Sequence, residues 1–151
     1  MINMKLTINV DEHYTGTEVT VNCNKMNDEI SKLIASIQIF DMKIAGRKDG
    51  KEYILEIADI IYIESIDKHT ILYTFADSYE NSFKLYELEA KLLPKGFLRA
   101  SKNCLVNINF VSSIEAESNS KLILTMPKGI ELIVSRLYAT EIKQRLEAQY
   151  V

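Results

Sequence analysis

The chain has no tryptophan, only two histidines, two cysteines and two prolines, and five glycines among 151 residues. So little Gly and Pro excludes collagen-like and low-complexity classes. Cys23 and Cys104 stand far apart with no Cys-x-x-Cys, so they read as two reduced, half-buried thiols of a cytoplasmic protein. No apolar run nears the roughly 18 residues of a membrane span. Residues 1–7 lack the basic-then-apolar order of a secretory signal. Neither His13 nor His69 has a second ligand three or four residues away, so no metal centre is expected. Gly-x-Ser-x-Gly elbows and phosphate-cradling glycine loops are missing too. Asp11 with Glu12, and Glu115 with Glu117, read as solvated acids. Cys104, beside Asn103, opens an apolar strand and reads as a packed thiol. The expectation is a protein with no enzymatic step, no cofactor and no small-molecule substrate.

What is present is an ordinary globular composition, 47% apolar and 26% charged, enough at this length to build one core without a covalent staple. Val, Ile, Thr and Tyr recur in short alternating runs, which favours strands. Residues 4–10 put Met4, Leu6, Ile8 and Val10 on one face, and residues 17–23 do the same with Val19, Val21 and Cys23. Asn27 is placed to cap a helix over 27–38 whose Ile30, Leu33, Ile34 and Ile37 share a face. Residues 1–41 thus read as a strand-strand-helix segment, and residues 42–151 as a second unit. In the latter, Asp49 and Gly50 suit a hairpin turn between strands. Strands are expected at 52–58 and 59–65, then an alternating one through Ile71, Tyr73 and Phe75 after a polar knot at 65–70. A helix over 84–93 has Ser82 near its cap and stops at Pro94-Lys95-Gly96. Strands at 104–108, 110–116, 121–126 and 130–135 precede a terminal helix over 137–147. The chain is mostly β with three short helices.

The net charge of −3 gives no hint of nucleic acid, but its distribution does. Residues 84–102 hold Lys84, Lys91, Lys95, Arg99 and Lys102 against Glu87 and Glu89, a local excess of three positive charges. Lys68 and His69, then Ser101, Lys102 and Asn103, then Ser135 and Arg136, each fall where an apolar strand meets a loop or helix. A rigid sheet can hold such donors outward, and Arg or Lys pairs with guanine edges while Asn pairs with adenine. A solvated charge mix on a helix and its loop would leave the same pattern.

The run Phe97-Leu98-Arg99-Ala100-Ser101-Lys102-Asn103-Cys104-Leu105-Val106-Asn107, with Ile114 and then Ile133-Val134-Ser135-Arg136-Leu137-Tyr138, closely resembles the LytTR family of bacterial DNA-binding domains. Asp59-Ile60-Ile61-Tyr62-Ile63-Glu64 and the loop residue His69 fit the same pattern, and the likeness covers residues 42–147. The resemblance implies an elongated antiparallel β-fold that inserts loops into successive major grooves of promoter direct repeats to regulate transcription. It implies base contacts from His69, Lys102 and Arg136. Lys68, Lys84, Lys95, Arg99, Ser101, Asn103 and Ser135 are left to phosphate contact or loop support, with Arg99 open between the two. Ser101 stands where the family often has histidine, and Asn103 where serine is frequent, which bears on the target sequence. Asn107 is expected to satisfy backbone groups, and Phe97 and Val106 to be core. The segment before the match is too short for the receiver domain many members carry, so the likeness is to the receiver-free branch, often paired with a membrane protein, and residues 1–41 are expected either to complete the β-fold or to make a dimer contact. Double-stranded DNA is the expected partner, bound by a homodimer. The alternative is a module that sequesters a membrane or regulatory partner.

Overall fold

The computed structural model describes residues 4–39 and 42–149; the expected unit boundary at residue 41 and the first three residues lie outside the described residues. Helix α1 (Asp28–Ile39) starts where Asn27 Oδ1 accepts the Ile30 N–H at 3.0 Å. Strands β1 (Lys43–Lys48) and β2 (Lys51–Glu56) form a hairpin around Asp49 and Gly50, whose φ angles of 52° and 76° suit a two-residue turn with the twist of the strands. After a 3₁₀ turn come β3 (Tyr62–Ile66), β4 (His69–Tyr73) and β5 (Ser78–Asn81), then α2 (Leu85–Leu92). Strands β6 (Phe97–Ser101) and β7 (Cys104–Asn107) close the main sheet. Strands β8 (Ser113–Ala116), β9 (Leu122–Thr125) and β10 (Glu131–Val134) make a second one before α3 (Arg136–Glu147).

The first sheet is antiparallel with order β2-β1-β5-β4-β3-β7-β6, about 29 Å across at the usual strand spacing. Alternation along β6 and β7 splits its burial between two cores. Phe97 and Leu105 join Ile63 and Leu72 under Leu85, Leu88 and Leu92 of α2. Leu98 and Val106 turn to the other face, under Leu122, Leu124 and Val134 of the second sheet and Ile142 and Leu146 of α3. Each such side chain contributes roughly 1.5–3 kcal/mol through burial. Asn107, itself buried, donates from Nδ2 to the Ile60 carbonyl at 2.9 Å and accepts the Asn109 N–H at 3.1 Å, so its task is backbone satisfaction. Phe97 and Val106 are core.

Four expectations need correction. Residues 4–10 and 17–23 form no strand, and their apolar side chains stand in solvent, Leu6 at 84% and Val10 at 93% exposure. Alternation becomes a strand only when an edge takes its backbone groups and a surface takes its apolar side, and among the described residues these segments join no ladder and pack on no core. Ile57–Asp59 is a 3₁₀ turn that separates β2 from β3, where a continuous pair of strands was expected. Ser82 does not cap α2: Lys84 holds that position, and the Glu87 carboxylate accepts its N–H at 3.0 Å. Finally, of the two thiols, Cys104 is buried and Cys23 exposed.

Candidate nucleic-acid interface

Two turns and one helix start meet at a single end of the main sheet. The β3–β4 turn is Asp67-Lys68, both left-handed, with φ of 48° and 69°. For lysine that conformation costs about 1–2 kcal/mol, which the hairpin ladder on either side must offset. The β6–β7 turn is Lys102-Asn103. Because β3 runs antiparallel to β7 with Glu64 opposite Cys104, these turns lie side by side, and the Ser65 N–H donates to the Asn103 carbonyl at 2.8 Å. The third piece arrives from β10: the Ser135 N–H donates to the Ala100 carbonyl at 2.9 Å, which sets Arg136, first residue of α3, beside the end of β6. A bulge between Arg99 and Ser101 bends β6 just there.

Lys68, Lys84, Arg99 and Lys102 line one open depression of about 290 Å³ with Ser65, Thr70, Leu85, Tyr86 and Asn103, and no carboxylate lines it. Lys84 reaches it because the junction ahead of α2 is fixed. Thr70 Oγ1 donates to the Phe83 carbonyl at 2.7 Å, and Asn81 bonds the Phe83 N–H and the Ala45 carbonyl, each at 2.8 Å. His69 and Arg136, both exposed, do not line this depression; alternation along β4 turns His69 to the opposite face of the sheet from Thr70. Lys95 is set apart: it precedes β6, about 20 Å of chain from Lys102, near the other end of the strand. Tyr86, 68% exposed, is a member of the depression that the sequence did not single out; its place two residues beyond Lys84 was the available signal.

Arg99 is tied inward. Its Nε and Nη2 donate to Glu89 of α2 at 3.2 and 2.7 Å, and its Nη1 donates to the Lys102 carbonyl at 2.6 Å. The side chain is 14% exposed. The guanidinium beside it holds the Glu89 carboxyl below its ordinary value. Arg99 thus clamps the Lys102 turn onto the helix. His69 is tied too, with Nδ1 2.5 Å from Glu80 Oε1, a partner eleven residues away that periodicity gave no reason to pick. Cys104 is no nucleophile: burial first, then the Glu64 charge, push its thiol up to about 12. Among the described residues no cluster of His, Cys, Asp and Glu could hold a metal ion, and no helix is long and apolar enough to cross a membrane.

Fold and site together define a β-domain that presents two cationic turns and a helix start from one sheet end, held there by backbone hydrogen bonds. The family model described as the LytTr DNA-binding domain matches residues 50–147, more than half the chain. The chain belongs to the LytTR family. An uncharacterized HTH-type transcriptional regulator of Staphylococcus aureus strain NCTC 8325 is 28% identical over 145 residues, covering 95% of this chain and 98% of the relative. A counterpart from the bovine strain RF122 is 29% identical over the same coverage. The helix-turn-helix in those names has no counterpart among the described residues here, whose three helices are separated by strands. A solved LytTr DNA-binding domain from Bacillus cereus superposes with a TM-score of 0.65 at 23% identity, over 69% of this chain and 95% of that one. That match supports the mostly antiparallel β-fold expected from the sequence.

Proposed function

We propose that this chain is a cytoplasmic, sequence-specific transcription regulator that reads promoter direct repeats with loops laid into successive major grooves. The observation that carries the reading is the meeting of Lys68, Lys84 and Lys102 in one acid-free depression, at the sheet end that also carries His69 and Arg136, in a member of a DNA-binding family. Lys102, Arg136 and His69 are the base readers. Lys68 and Lys84 hold phosphates, while Arg99, with Ser101, Asn103 and Ser135, supports the loops. No step of this function requires catalysis. The test is fluorescence anisotropy with a duplex from upstream of the protein's own gene across a salt series. Saturable binding whose affinity falls linearly on a log–log salt plot is the expected result. Absence of binding by folded protein at low salt, to this duplex and to random genomic fragments, would overturn the reading.

The homodimer follows from the leading segment. Met4, Leu6, Ile8, Val10 and Val19 are each more than 60% exposed, an apolar stripe that needs cover. A second copy, bringing the same stripe, supplies it by joining leading segment to leading segment, which leaves the two DNA-binding units to lie in the same direction on direct repeats. A chain starting at Lys43 is therefore expected to fold and to sediment as a monomer, while the full chain sediments as a dimer. Equal sedimentation states for the two would exclude this contact, and a monomeric full chain would point to a different protein partner for the stripe.

A further inference from the structure

His69 and Glu80 stand diagonally on the neighbouring strands β4 and β5, on one face of the sheet, because Thr70 faces Asn81 and Ile71 faces Glu80 in the ladder. Arg47 of β1 lies directly opposite Glu80, with Nη2 3.7 Å from the same Oε1 that meets His69, and its Nη1 donates to Ser82 Oγ at 3.3 Å. The carboxylate is thus held from both sides. Its pKa lies below the ordinary value, first because the His69 ring bonds it, so it is ionised and can only accept. At 2.5 Å the shared hydrogen must then belong to Nδ1, which leaves Nε2 as the ring nitrogen available to DNA.

Building on the reading of His69 as a base contact, we propose that Glu80 is a positioning residue that fixes the tautomer of His69 and thereby its base preference. In the neutral ring so fixed, Nε2 is a lone-pair acceptor. It is served by the exocyclic amine of adenine or cytosine in the major groove and repelled by the O6 and N7 acceptors of guanine. The opposite tautomer would invert that choice. Glu80 touches no base, and its negative charge opposes phosphate binding. Its loss therefore raises overall affinity while spoiling selectivity, a split that general damage to the fold does not produce.

Two measurements test this, both near pH 8.5, about two units above the ordinary imidazole value. Long-range 1H–15N spectra, with the signal assigned by its loss in His69→Ala, are expected to show a protonated Nδ1 in the wild type and a shift toward protonated Nε2 in Glu80→Ala. A protonated Nε2 in the wild type overturns the proposal, even if the variant fails to fold. The second is selection from a duplex pool randomised over about 30 base pairs, three helical turns. At the position whose preference His69→Ala erases, Glu80→Ala is expected to cut the preference for adenine or cytosine about tenfold. An unchanged preference there in folded Glu80→Ala sinks the proposal. A His69→Ala protein that alters no position sinks the underlying assignment of His69 instead, so the two failures are distinguishable.

Discussion

Replacing Lys102 and Arg136 together with alanine is expected to abolish specific DNA binding and leave the protein folded. Both side chains are exposed, one in a two-residue turn and the other opening α3. Exposed changes of this kind usually shift stability by less than about 0.5 kcal/mol each. A well-paired base contact is worth roughly 1–3 kcal/mol of discrimination, so losing two should lower specific affinity by about 30-fold to 10⁴-fold. Residual binding should then match that to unrelated DNA and keep much of its salt dependence, because Lys68 and Lys84 remain. Competition titrations with specific and scrambled duplexes, beside thermal melts, make the check. A double variant that still prefers the specific duplex by the wild-type margin would remove both residues from base reading. One that also loses much of its thermal stability would recast them as structural.

Arg99→Ala is expected to destabilise the fold by about 2 kcal/mol, the usual range for lost hydrogen bonds to a charged group. At this chain length that lowers Tm by roughly 4–8 °C. Specific DNA affinity should fall as well, since the Lys102 carbonyl loses the donor that clamps its turn. The discriminating variant is Arg99→Lys. A phosphate contact survives that exchange as a point charge, whereas a two-pronged bond to Glu89 with a third to a carbonyl does not. Stability that falls in Arg99→Lys nearly as far as in Arg99→Ala is the expected result. Full retention of stability with impaired DNA binding would return Arg99 to the phosphate role. The clamp also has a pH signature. Glu89 titrates in the folded protein below its ordinary 4.5, so its contribution is complete above that value and fades as pH drops through the folded-state value. The Tm gap between wild type and Arg99→Ala should accordingly narrow in acid.

What the sequence could and could not convey follows from where the constraints lie. The turns at Asp49-Gly50 and Pro94-Lys95-Gly96, the N-cap of α1, and strands β8 to β10 are dictated locally and were readable. Strand β6 was not, because Phe97, Leu98 and Ala100 are buried on both faces, between α2 and the second sheet with α3, and so show no alternation. Ser78–Asn81 is polar throughout and becomes β5 only because β4 and β1 each lend it a ladder. Residues 4–10 show the converse, a clean pattern that no ladder takes up. Within the site, residue types and loop positions were legible through the family pattern. Their convergence was not, since it depends on the long-range register of β3 on β7 and on the Ser135–Ala100 bond. The His69–Glu80 pair was equally hidden, being a cross-strand diagonal.

The bonds that gather these turns run between main-chain atoms, Ser65 to Asn103 and Ser135 to Ala100, and make no demand on side-chain identity at 68, 102, 103 or 136. The scaffold therefore works as a type frame whose letters can be exchanged one at a time. On the proposed reading, a substitution at the tips is expected to change which promoter is recognised without unseating the frame, which places new regulatory targets a single folded step away.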